Sequence, residues 1–151
     1  MGYTGQGKMD VHIIYDSKYG NGKTAAEYLQ QALKTRGHTA SVQSVRQVKP
    51  SKLPGADLYV FASPTHFGRP TRRMKTFLKK LTGQQIDARY ALMTTCLDQS
   101  TQALDKMDEL LASSSMTRAA DGLKVIVEGM KGPLKNGYRQ DIERFAETLT
   151  G

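Results

Sequence analysis

Val11-His12-Ile13-Ile14-Tyr15-Asp16-Ser17-Lys18-Tyr19-Gly20-Asn21-Gly22-Lys23-Thr24-Ala25-Ala26 passes from an apolar, β-branched run through a short polar loop into a helical pattern. A loop that leads directly from a strand into a helix points several backbone N–H groups one way, with the positive end of the helix dipole behind them. Ser17 and Thr24 add hydroxyls to that loop. Gly20 and Gly22 let the backbone come close to a ligand. Residues of these types in this order are suited to hold a phosphate. A glycine-rich turn that only connects strand to helix is the bland alternative, and it leaves the gathering of hydroxyls, glycines and lysine without a reason.

The pattern continues outward from that stretch. Val11–Tyr15 is nearly continuous in apolar residues, as a strand covered on both faces should be. Ala25, Ala26, Leu29, Ala32 and Leu33 recur at helical spacing, and Gly37 stops that helix. Ala40, Val42 and Val45 give a more polar second strand, placed at an edge. Leu53-Pro54-Gly55 marks a turn before a third strand, Leu58–Ala62. A helix follows on Met74, Phe77, Leu78 and Leu81, then a fourth strand at Tyr90–Met93. Leu104, Met107, Leu110 and Leu111 give another helix, Leu123–Val127 a fifth strand, and Ile142, Phe145, Ala146 and Leu149 the last helix. Strands alternating with helices predict a parallel sheet with helices on both faces. Ligands in such a sheet sit beyond the carboxyl ends of the strands, so the loops after the first, third and fourth strands converge.

Two phosphate chemistries compete for the first loop. Gly22-Lys23-Thr24 matches the end of the triphosphate-binding pattern G-x-x-x-x-G-K-[ST], but Ser17 stands at its first glycine. No later strand ends in an aspartate that could help hold magnesium. The other is a single-phosphate loop. Ser17-Lys18-Tyr19-Gly20-Asn21-Gly22 resembles the loop with which flavodoxins wrap the phosphate of FMN, with Ser17, Gly20 and Asn21 in register and departures at Tyr19 and Gly22. The run after the third strand, Ser63-Pro64-Thr65-His66-Phe67-Gly68-Arg69-Pro70, is similar to the second flavin-binding loop of flavodoxin-like domains, including those of flavodiiron proteins. The resemblance covers the chain from about Asp10 onward.

That resemblance implies a flavodoxin-like α/β fold, a doubly wound five-stranded parallel sheet of order 2-1-3-4-5 with helices on both faces. It implies FMN as cofactor, with its phosphate on Ser17, Lys18, Tyr19, Gly20, Asn21, Gly22 and Thr24. The ring would lie between Pro64, Thr65, His66, Phe67 and Gly68 of the second loop and Thr95, Cys96, Leu97 and Asp98 of the third. Phe67 or His66 could face the ring, Gly68 could turn a carbonyl toward it, and the third loop could offer backbone donors to its polar edge. The third loop carries no tyrosine or tryptophan, a departure from many flavodoxins.

Other residues invite different readings. Phosphoacceptor receiver domains share this order of elements but need an aspartate where the third strand here ends in Ala62-Ser63. His12 lies inside a strand and reads as packed. Three histidines and one cysteine without close spacing give no metal-ligand pattern. Cys96 beside the ligand could be a reactive thiol, although a small, packed residue is the simpler reading.

Composition bounds the rest. The 151 residues suit one domain, and 38% hydrophobic with 24% charged residues suits a globular one. No apolar run reaches the roughly 20 residues that span a bilayer. Residues 1–9 read as a disordered leader or an appended remnant, with Met9 as a candidate natural start, and residues 10–151 as the FMN-binding domain. A lone cysteine suits a reducing cytoplasm. The net charge is +8. Arg69, Arg72, Arg73, Lys75, Lys79 and Lys80 form a basic run without an acidic residue. A solvated helix face accounts for part of it. Its start beside the expected flavin loop also favours an anionic reduced flavin and an acidic redox partner. A second basic stretch, Lys131-Gly132-Pro133-Leu134-Lys135-Asn136, follows the fifth strand at the same end of the sheet. The expected function is an electron carrier between proteins. Two alternatives stay open: an FMN-dependent oxidoreductase acting on a quinone or porphyrinogen, and a module that binds another phosphate ligand or only a partner. Nucleic acid is not an expected partner.

Overall fold

The computed structural model describes residues 7–151. Most of the segment read as a leader lies outside the described residues. Met9, at its end, is buried, and its N–H donates to His38 Nδ1 at 3.0 Å.

The first strand, β1 (Asp10–Tyr15), lies in the middle of the sheet. It pairs in parallel with β2 (Thr39–Ser44) on one side and β3 (Leu58–Pro64) on the other, so that Ile13 faces Val42 and Val60. β4 (Arg89–Cys96) follows β3. The far edge comes in two pieces. β5 (Thr117–Arg118) pairs with Arg89 and Tyr90, and β6 (Leu123–Ile126) pairs with Met93 to Cys96. The order is therefore 2-1-3-4-5, with the expected fifth strand appearing as β6 and a short piece ahead of it.

Side chains alternate along each strand. Val11 and Ile13, Leu58 and Val60, and Ala91 and Met93 point to one face. There they meet Leu29 and Leu33 of α1 (Asn21–Thr35) and Ile142, Phe145 and Leu149 of α4 (Tyr138–Thr150). Ile14, Tyr59, Phe61, Tyr90 and Leu92 point to the other face. They meet Met74 and Leu78 of α2 (Arg72–Leu81) and Met107 and Leu111 of α3 (Ala103–Leu111). Because both faces are covered, β1, β3 and β4 are buried along nearly their whole length and are largely apolar. β2, at the edge, is only partly buried. Each large side chain removed from water stabilises the fold by about 1.5–3 kcal/mol. Parallel pairing brings the carboxyl ends of β1, β3, β4 and β6 to one end of the sheet, where four loops meet.

Candidate functional site

The first loop is built from the strand outward. Asp16 N–H donates to the Ala62 carbonyl at 2.8 Å, extending the pairing of β1 with β3 by one residue. Ser17 Oγ accepts the Gly20 N–H at 3.1 Å and closes the turn. Gly20 has φ +93°, which glycine adopts without strain, and it stands just before α1. The first N–H groups of α1, on Asn21, Gly22 and Lys23, have no intrahelical acceptor and lie at the positive end of the helix. No side chain caps them. Gly22 is already helical, and it matters for a different reason than Gly20: a Cβ there would lie 2.9 Å from the Asp16 carbonyl oxygen. Glycine lets the helix start sit directly on the loop.

The second loop is a two-residue hairpin turn. His66 and Arg69 exchange backbone hydrogen bonds, at 2.8 Å and 3.1 Å, across Phe67 and Gly68. Both corner residues have positive φ, +54° for Phe67 and +75° for Gly68, as a type I′ turn requires. An aromatic residue in the left-handed region is uncommon and strained. Phe67 is nevertheless fully exposed, so nothing in its own packing compensates. The third loop is tied to the second. Thr65 N–H donates to the Thr95 carbonyl at 2.9 Å, and the Thr65 and Thr94 hydroxyls lie 2.7 Å apart.

These loops enclose a cavity of about 430 Å³, within the range usual for small-molecule sites. Ser17, Lys18, Tyr19, Asn21 and Gly22 line it from the first loop. Pro64, Thr65, His66 and Phe67 line it from the second, and Thr95, Cys96 and Leu97 from the third. Four expected residues stand elsewhere. Gly20 shapes the turn behind the cavity, and Thr24 lies exposed one turn into α1. Gly68 and Asp98 line a neighbouring hollow on the far side of the hairpin, together with Arg69. Asp98 accepts the Ser100 N–H at 2.9 Å, and the hydrogen bonding from Ser100 holds its carboxyl below the ordinary range. Burial pushes the Cys96 thiol up, so it stays protonated near neutrality and is a poor nucleophile.

A fourth loop, after β6, was not among the expected site residues. Val127 and Met130 line the cavity from it. Val127 N–H donates to the Cys96 carbonyl at 2.9 Å, and Lys135 N–H to Ile126 at 2.8 Å, so the loop folds back on itself. Its tip reaches the first loop. A Cβ on Gly132 would lie 2.4 Å from Asn21 Oδ1, and Lys131 Nζ lies 6.0 Å from the centre of the Tyr19 ring. Lys18 Nζ lies 5.3 Å from the same ring. The signal in the sequence was the Lys131–Asn136 stretch, which shows its charge but not its reach. Among the described residues that line the cavity there is no carboxylate. The cavity therefore offers a helix start and Lys18. Exposed apolar side chains, Phe67, Leu97 and Met130, and the exposed Tyr19 also line it.

Comparison with known proteins bears on the family and the fold. The family model described as Flavodoxin matches residues 13–145. Among solved structures, a flavodoxin of Streptococcus pneumoniae TIGR4 is 21% identical, with a TM-score of 0.78 over 93% of this chain and 97% of that one. Flavodoxin 2 of Bacillus cereus is 18% identical, with a TM-score of 0.80 over 93% and 97%. The rubredoxin oxygen:oxidoreductase of Desulfovibrio gigas is 18% identical with a TM-score of 0.77, and there this chain matches only 35% of the longer protein. At these identities the structures speak for the fold. None of the curated protein sequences matches the chain. No helix among the described residues is long and apolar enough to cross a membrane.

Proposed function

The chain belongs to the flavodoxin family, and from that premise we propose that it binds FMN and carries electrons between protein partners. The observation that carries the reading is one cavity lined both by an anion-receiving helix start and by exposed apolar side chains. A single α1 N-terminus suits one phosphate group, and the absence of carboxylates among the described lining residues removes the main source of repulsion. Ser17, Asn21, Gly22 and Lys18 would hold the phosphate. Gly22, having no side chain to meet the Asp16 carbonyl, lets the helix start sit against the loop that would hold it. Phe67, Leu97 and Met130 would cover ring surface, and Thr65, Thr95 and Cys96 would form the wall behind. When bound, FMN supplies the redox chemistry, and the protein contributes binding, electrostatics and access. The net charge of +8 supports an acidic protein as partner.

The cofactor is tested by the visible absorption of the purified protein and by chromatography of what it releases on denaturation, against FMN, riboflavin and FAD standards. Released FMN, or uptake of added FMN with a shifted flavin spectrum, is expected. Colourless protein that takes up no FMN overturns the reading.

A further inference from the structure

We infer that a basic groove on the far side of the phosphate loop is a docking site for an acidic peptide segment of a partner protein. The structure divides the basic run that the sequence presents as one cluster. Arg69 turns to the hollow beside the hairpin. Arg72, Arg73 and Lys80 face the other way, into an open groove of about 670 Å³ between α2 and the loop after β2. Lys18 and Arg46 close that groove from the opposite side, which makes five cationic side chains around one depression. All five are exposed, and none of them takes part in an ion pair among the described residues. Asp16 is the one carboxylate among the described residues that line it. Asp16 is buried, and its oxygens accept from Ser17 N–H at 3.0 Å and Thr71 Oγ1 at 2.6 Å. It is therefore already engaged.

The shape selects among anions. The floor is apolar, with Val45, Val48, Pro50 and Phe77 below a cationic rim. A lone phosphate would engage only the cationic side chains and leave the apolar floor uncovered. Arg72 and Lys80 are eight residues apart on one helix, or about 12 Å, which matches about four residues of extended chain. An acidic segment carrying an apolar side chain would satisfy both rim and floor. Ser17, Lys18 and His66 line both the groove and the cofactor cavity, so a segment held here lies against the wall of that cavity. That the docked protein is a redox partner rests on the carrier reading above. The binding of acidic peptide does not.

The test is a nuclear magnetic resonance titration of the isotopically labelled, FMN-supplemented protein at low salt. The probe is an acetylated hexapeptide of glutamate and leucine. Sodium pyrophosphate and a short oligothymidylate are added in parallel arms. Shifts of the backbone amides of Arg46, Val48, Thr76 and Lys80 are expected with the peptide. Affinity should fall about tenfold or more in Arg46→Glu/Lys80→Glu, since two favourable charges become repulsive, and little in Lys34→Glu/Lys79→Glu. Arg72→Gln/Arg73→Gln, which reverses no charge, should lie between. FMN uptake in the same samples reports folding and separates the two claims. Peptide that shifts other residues, or binds the charge-reversed variant equally, overturns the groove even if FMN is bound. Tighter occupation of the groove by pyrophosphate or the oligonucleotide overturns the peptide assignment. Failure to take up FMN alongside peptide binding overturns the cofactor reading instead.

Discussion

Phe67 is the residue at which local physics and the site disagree most openly. Its left-handed backbone costs roughly 1–2 kcal/mol for a side chain with a Cβ. Its ring returns nothing to folding, because it is fully exposed. A glycine would fit the turn better, and on the proposed reading the ring serves what enters the cavity. Phe67→Gly is expected to leave the urea midpoint unchanged or raised while weakening FMN by about two- to tenfold, the worth of one aromatic contact. A lowered midpoint with unchanged affinity would make the ring structural. The sequence shows an aromatic there but not its backbone, because the hairpin turn depends on how Arg69 meets His66. The first loop teaches the same distinction. Its residue types are legible as a phosphate loop. Which glycine bends and which one only makes room is not, and the structure gives the positive φ to Gly20 and the close contact to Gly22.

At the scale of elements, the site is held by ties between neighbouring units. Asp16, just after β1, accepts from Thr71 Oγ1, while Thr71 caps α2 through Met74 N–H and donates its own N–H to Ser63 Oγ at 3.0 Å. The first loop and the start of α2 are thus one hydrogen-bonded unit. Asp16→Ala removes two hydrogen bonds to a buried side chain and leaves Ser17 N–H and Thr71 Oγ1 without that partner. A loss of about 2 kcal/mol in unfolding free energy and weaker FMN binding are expected. Urea denaturation checks the first and fluorescence titration the second. A stability change near zero would show that the loop is held by other contacts. The alternation of strands and helices was legible throughout, because central parallel strands are apolar on both faces. β5 was not, because Thr117 and Arg118 are exposed and carry no burial pattern. The fourth loop was missed for a related reason. Val127 and Met130 reach the cavity only through the fold-back of residues 127–135, a contact that has no periodicity in the sequence.

For the molecule as a whole, two histidines tie stability to pH. Burial lowers the pKa of His12 below its ordinary 6.5, and burial with the nearby Arg36 lowers that of His38. His38 Nδ1 must also stay unprotonated to accept Met9 N–H. Both groups bind a proton more weakly in the native state, so the unfolded chain takes up protons first as the pH falls. Stability is therefore full above about 6.5 and is lost as the pH drops through that value toward the folded-state pKa. Urea midpoints should fall between about pH 7.5 and about pH 5.5, and His12→Gln should flatten part of that slope. A flat wild-type profile would contradict the assignment. The central claim is that the start of α1 holds the phosphate of FMN, and it is tested most directly by comparing FMN with riboflavin. The two differ only by that phosphate. In a fluorescence-quenching titration of the cofactor-free protein, FMN should bind about a hundredfold tighter, as expected for several hydrogen bonds to a charged group. Equal affinities, or no binding of FMN, would contradict the account.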